Sequence, residues 1–90
     1  MTAQEIFSKR NRVICTASGH IKKNLFEWSP VKLGWQLLKR GVPVYHAWNK
    51  GAQFFAAVIE DGKEKLQIST TGLHNLDAFL VRVEKDAGVW

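Results

Sequence analysis

Ninety residues, 46% of them hydrophobic, suit one small domain with a modest core. A single cysteine excludes an internal disulfide, and no apolar run approaches the ~18–20 residues of a membrane span. The net charge of +5 is uneven: residues 1–50 carry a surplus of seven positive charges, whereas residues 51–90 carry a surplus of two negative ones. Such an imbalance points to a polyanion or an acidic protein surface as partner. The opening MTAQEIFSKRNR lacks the apolar core of a signal peptide, so the expected location is the cytoplasm and no membrane partner is expected. The expected organisation is a single domain over 1–90 with short flexible termini at about 1–8 and 87–90.

In chain order, Ala3 to Lys9 reads as a short helix held by Ile6 and Phe7, followed by a basic loop at Lys9-Arg10-Asn11-Arg12. Arg12 to Ala17 (RVICTA) is β-branched and reads as a strand, broken by Ser18-Gly19. The run VICTASGHIKKNL resembles the glycine-rich turn of short-chain-dehydrogenase-type nicotinamide folds, and LLKRGVPVY resembles their next helix-to-strand step. That resemblance implies a pyrophosphate cradle. However, only Gly19 remains of its glycines, with Thr16 and Lys22 at the other two positions, and the chain is too short for the full fold. What survives is a weaker candidate, one phosphate held at Gly19, Lys22 and Lys23, against the simpler reading of a strand-to-helix turn with surface lysines.

Ile21, Leu25 and Trp28 have helical spacing. Ser29-Pro30 is a good N-cap with proline at the first helical position, and it predicts a helix from Pro30 to Arg40. Its stripe is Val31, Trp35 and Leu38, and it stops at Gly41. These two short helices also suit a helix-turn-helix, but the second is apolar where a recognition helix needs polar side chains.

The centre of the chain is Val42 to Ile68, three β-rich runs broken at Asn49-Lys50-Gly51 and Asp61-Gly62. It predicts a three-stranded antiparallel meander. A two-residue turn at Asp61-Gly62 sets Glu60 opposite Lys63. A three-residue turn ending at Gly51 sets Trp48 opposite Ala52 and His46 opposite Phe54. The middle run QFFAAVI is apolar on both faces, so both faces are covered or one is a binding surface. After a turn at Ser69–Gly72, the spacing of Leu73, Leu76, Phe79, Leu80 and Val83 predicts a helix from about Leu73 to Lys85, although AFLVRVE also suits a fourth meander strand. Trp90 is expected to fold back on the core or to touch a partner. The fold class is therefore α+β: a small antiparallel sheet, with 12–17 as a further strand, packed by helices near 30–40 and 73–85.

Catalytic patterns are thin. His20, His46 and His74 stand in no metal-ligand spacing, Cys15 reads as buried, and Glu60, Asp61 and Glu64 read as solvating charges around a turn. No enzyme, cofactor or metal is expected. The leading expectation is a non-enzymatic, nucleic-acid-associated domain. It would contact phosphates through Lys9, Arg10, Arg12, Lys22, Lys23, Lys39, Arg40 and Lys50, with Trp48 beside a turn as a stacking residue. The alternative is a protein-binding regulator or inhibitor, of the kind phage and mobile elements carry, that docks on an acidic protein. A homodimer through a spare sheet face is a further way to cover the apolar surface.

Overall fold

The computed structural model describes residues 2–17 and 25–90. A helix, α1 (Ala3–Ala17), precedes five strands, β1 (Phe26–Val31), β2 (Gly34–Lys39), β3 (Val42–Lys50), β4 (Gln53–Glu60) and β5 (Lys63–Thr71). A 3-10 turn at Leu73–Asn75 then leads into α2 (Leu76–Ala87). The strands form one antiparallel sheet in sequence order, β1-β2-β3-β4-β5. The α+β class and the central meander hold, but the sheet has five strands where three or four were expected. The C-terminal helix is also present, so AFLVRVE is not a strand.

Two expectations are overturned. The strand expected at 12–17 is the second half of α1. Thr2 and Glu5 start that helix with a reciprocal capping box: the Glu5 amide donates to Thr2 Oγ1 at 3.2 Å, and the Thr2 amide donates to Glu5 Oε1 at 3.0 Å. The backbone bond at Thr2 is the chief reason the Glu5 carboxyl lies below its ordinary pKa. The apolar stripe of α1 runs Ile6, Phe7, Ile14, and Arg10 occupies the position between them. That charge in a buried slot is what made the helix look like two pieces.

The helix expected at 30–40 is a hairpin. Pro30 lies on β1, an edge strand, where its missing N–H costs no ladder bond. The stripe read at Val31, Trp35 and Leu38 is coincidental. The buried faces instead alternate as Phe26, Trp28 on β1 and Leu37 on β2, with Trp35 packed beside them. Gly34 (φ 113) follows the Lys32-Leu33 turn, and a Cβ there would collide with the Ala47 carbonyl oxygen on β3. Only glycine allows β2 to start so close to its neighbour. Arg40-Gly41 closes β2 to β3 with φ 52 and 78, the left-handed pair of a two-residue hairpin turn rather than a helix end. The short helix expected at Ile21–Trp28 falls partly outside the described residues, and Phe26 to Trp28 are strand.

The register of the first meander turn also differs. Lys50 pairs with Gln53, Trp48 with Phe55 and His46 with Ala57, so the turn is two residues, Gly51-Ala52. This odd shift exchanges faces, as period-two alternation requires. Tyr45 and Ala47 on β3 now share a face with Phe54, Ala56 and Val58 on β4, while His46 and Trp48 share the other with Phe55 and Ala57. At the second turn Glu60 pairs with Lys63 as expected. A bulge beyond Val58 and Lys65 then brings Ala56 opposite Ile68 and leaves Leu66 at φ 51.

Both helices pack on one face. Ile6, Phe7 and Ile14 of α1 and Leu76, Phe79, Leu80 and Val83 of α2 form one cluster with Phe26, Trp28, Leu37, Tyr45, Ala47, Phe54 and Ala56. Phe7 stacks on Trp35 with ring centroids 4.7 Å apart and meets Trp28 edge-on at 5.3 Å. In this core lies Glu84, fully buried. Its carboxylate accepts from Arg10 Nε at 3.1 Å, from Arg10 Nη2, from Trp28 Nε1 at 2.9 Å and from Trp90 Nε1 at 2.9 Å. These bonds hold the Arg10 guanidinium even more firmly protonated than usual. Trp90 has therefore folded back onto the core.

Candidate binding face

Among the described residues, the opposite face of the sheet carries no helix. Across it run Gln36 on β2, His46 and Trp48 on β3, Phe55, Ala57 and Ile59 on β4, and Glu64 and Ser69 on β5, as the pairings require. Trp48 is offset-stacked on Phe55, with centroids 5.4 Å apart and planes at 14°, and on His46, at 5.0 Å and 29°. All three rings are half-buried, so each keeps surface facing solvent.

His46 is tied at both nitrogens. Its Nδ1 lies 3.0 Å from Glu64 Oε2 and its Nε2 lies 2.7 Å from the Leu33 carbonyl oxygen. Both partners are hydrogen-bond acceptors. The histidine fixes the β1–β2 turn to β5 across the sheet. With both nitrogens engaged, it has no lone pair aimed at a substrate.

The ring row ends at each side in an exposed leucine. Leu33, in the β1–β2 turn, is 74% exposed, and Leu66, at the β5 bulge, is 76% exposed. Beside Leu33 a recess of about 430 Å³ is lined by Lys32, Leu33, Gly34, His46, Trp48 and Asn49. Lys32 and Lys50 stand at this end of the sheet, and Lys63 and Lys65 on β5. Lys65 reaches Glu60 only at 3.9 Å, with both side chains half-exposed.

The residues expected to contact phosphate do not share one surface. Lys9 and Arg12 lie on the outside of α1, behind the helix layer, and Lys9 is paired with Asp77 at 3.2 Å. Arg10 is only 7% exposed and is committed to Glu84, which removes it from any surface. Lys39 and Arg40 sit at the β2–β3 turn, and Lys39 Nζ is 6.0 Å from the centroid of the Phe26 ring. Trp48 and Lys50 sit at the far end of β3, roughly 26 Å away by strand rise. Lys22 and Lys23, with the candidate phosphate turn at Gly19, lie outside the described residues. Among the described residues of that set, only Trp48 and Lys50 come together on the open face.

Sequence reasoning missed Leu33, Phe55 and Leu66 as parts of this face. Leu33 was hidden by the helix reading, and Phe55 by the register. Leu66 carried one usable signal: an apolar residue within KEKLQ, a run otherwise polar. Burial raises the Cys15 thiol pKa, helped by nearby Glu27, which disfavours the thiolate. Among the described residues no group of three or more His, Cys, Asp or Glu is placed to hold a metal, and no helix is long and apolar enough to cross a membrane. Comparison with protein families, with curated proteins and with solved structures finds no match to this chain.

Proposed function

We propose that the protein is a non-enzymatic binding domain, a regulator or inhibitor that docks on another protein through the open face of its sheet. One observation carries this reading: the His46–Trp48–Phe55 ring row, with Leu33 at 74% and Leu66 at 76% exposure, lies on a face that neither described helix covers. An apolar centre with a charged margin is the anatomy of a protein interface. Trp48 is the anchor, since a tryptophan with exposed surface is a typical hot spot. Lys32 and Lys50 form a basic margin at the Leu33 end, so the complementary partner has an apolar centre and an acidic flank there.

The test is affinity capture from nuclease-treated lysate, followed by reconstitution with the purified candidate. Substituting Leu33→Glu and Leu66→Glu together should weaken the reconstituted complex at least about tenfold while the fold persists. Equal binding by that variant removes the face from the proposal.

A second reading rests on Trp48 standing between Lys32 and Lys50. Single-stranded nucleic acid would stack a base on Trp48 and set phosphates against the two lysines. Titration of labelled single-stranded DNA, duplex DNA and RNA at two salt concentrations separates the readings. Saturable binding with a steep salt slope, lost in Trp48→Ala, supports the nucleic-acid reading. Its absence at low salt leaves the protein interface.

A further inference from the structure

The two edges of the sheet are treated differently. At β1 the Arg40 amide bonds the Leu25 carbonyl at 2.7 Å, which by antiparallel alternation turns the backbone groups of Phe26, Trp28 and Pro30 outward. Two of these groups meet α1 and a third is absent. Asn11 Oδ1 on α1 accepts from the Trp28 amide at 2.9 Å, the Cys15 thiol lies 3.7 Å from the Phe26 carbonyl oxygen, and Pro30 has no N–H. The helix α1 thus covers this edge at Phe26 and Trp28.

At β5 the Gly72 amide bonds the Ala52 carbonyl at 2.8 Å, which turns Ser69 and Thr71 outward in the same way. There the only side chain that meets the edge among the described residues is Asn75, whose Nδ2 donates to the Thr71 carbonyl at 2.8 Å. The first half of β5 is guarded by Lys63, Lys65 and the Leu66 bulge, the usual devices against strand addition. The second half, Gln67-Ile68-Ser69-Thr70-Thr71, has no charge and no proline, the bulge ends at Gln67, and Gln67, Ser69 and Thr71 are exposed.

From this asymmetry we infer that a second copy of this chain pairs along Gln67–Thr71 of β5, antiparallel about a two-fold axis at Ser69. Three features single out a second copy. The strip is neutral in a chain of net charge +5, so two copies meet where their mutual repulsion is weakest. Centred on Ser69, the pairing sets Gln67 against Thr71 and Ile68 against Thr70, and Ser69 against its counterpart exchanges both outward backbone bonds. No like charges face each other within the strip. Because α1 blocks β1 at Phe26 and Trp28, and Pro30 offers no N–H, pairing does not propagate from the other edge, and association closes at two. The axis stands perpendicular to the sheet. Both helix layers then lie on one side and both open faces on the other, so the dimer leaves each ring row free.

Five paired residues make an interface below standard size, so the dimer forms at high micromolar concentration rather than nanomolar. Sedimentation equilibrium over roughly 5–500 µM should show the mass rising toward twice the monomer. Ser69→Pro removes an N–H that points away from β4, so it leaves the internal ladder whole. It should stay monomeric over the same range with an unchanged circular dichroism spectrum. Ser69→Lys, which sets two lysines against each other at the axis, should do the same if the proline variant fails to fold. Ser69→Cys should cross-link on oxidation, since directly opposed bonded residues lie about 5.5 Å apart between Cα atoms. A wild type that remains monomeric throughout overturns the inference. So does a dimer that survives both Ser69→Pro and Ser69→Lys, or one that Leu33→Glu with Leu66→Glu abolishes while the Ser69 variants keep it. That last outcome places the contact on the open face instead.

Discussion

The two faces of this sheet are built from alternate residues of the same strands, yet they end in different states. One has Trp28 at 1% exposure beneath two helices, its indole N–H bonded to Glu84. The other has Trp48 half-exposed, its ring lying against His46 and Phe55 with no described helix above it. The same residue type closes a core on one side and is left open to a partner on the other. Apolar character on both faces of a strand does not by itself tell a core from an interface. What separates them here is whether an amphipathic helix is available to cover the face, and both described helices lie on one side.

The sharpest way to break that contrast is to attack the buried charges. Arg10→Ala removes the only guanidinium bonded to the buried Glu84 carboxyl, and Glu84→Ala leaves Arg10 with only its 3.6 Å contact to Asp77; each should cost about 3–5 kcal/mol. That is a large part of the ~5–13 kcal/mol expected of a chain this size, and urea denaturation will show it as a much lowered midpoint. Joint replacement by Arg10→Met and Glu84→Leu should recover much of that loss, because neither charge is then stranded.

Next comes the pair of tryptophans. Trp28→Ala should destabilise by about 3–5 kcal/mol, whereas Trp48→Ala should cost no more than about 1 kcal/mol and instead abolish partner binding. Equal losses of stability would place both rings in the core and end the contrast between the faces. Gly34→Ala should follow, at more than about 1 kcal/mol, since it forces a side chain into a left-handed conformation and against the Ala47 carbonyl. Leu33→Glu and Leu66→Glu should each change stability by less than about 0.5 kcal/mol, as substitutions at exposed positions do.

The smallest effect on the fold is a chemical one. Cys15 should react slowly with a thiol reagent at pH 8 in the native protein and quickly in denaturant. Its raised pKa keeps the thiol protonated below the folded value, and unfolding lowers that value to the ordinary one. Equal rates in both states would mean that the thiol is not shielded by the α1–β1 packing.

Much of the sheet could be read from the sequence because hairpins are local. Asp61-Gly62 and the alternation beside it placed β4 and β5 correctly up to the Leu66 bulge. The parts that could not be read depend on distant partners or on one residue of register. Gly51 marked a turn, but two-residue and three-residue turns fit the same letters, and the choice decides which side Phe55 faces. Pro30 is as good at the start of a helix as on an edge strand, and only the sheet beside it decides. The face itself was half legible. Trp48 and Lys50 were named from their place near a turn, whereas Leu33 and Leu66 needed the hairpin and the bulge before they could be seen to flank the rings. Most instructive are Arg10 and Glu84. Each interrupts the apolar stripe of its own helix, one with a positive charge and one with a negative. Read separately they look like flaws in two helices, and read together they are a pair.

That pair also sets an order of assembly. Arg10 and Glu84 are separated by 74 positions in the chain, while each hairpin of the sheet is closed by its own two-residue turn. Closing a long loop comes late, because its entropy must be met before any contact rewards it. During synthesis the N-terminal helix therefore emerges first and docks last. Until Glu84 has left the ribosome, the Arg10 guanidinium lacks the carboxylate that lets it enter the core. The meander meanwhile can zip up strand by strand, and the arrival of α2 is the event that converts a sheet with a loose helix into a closed protein.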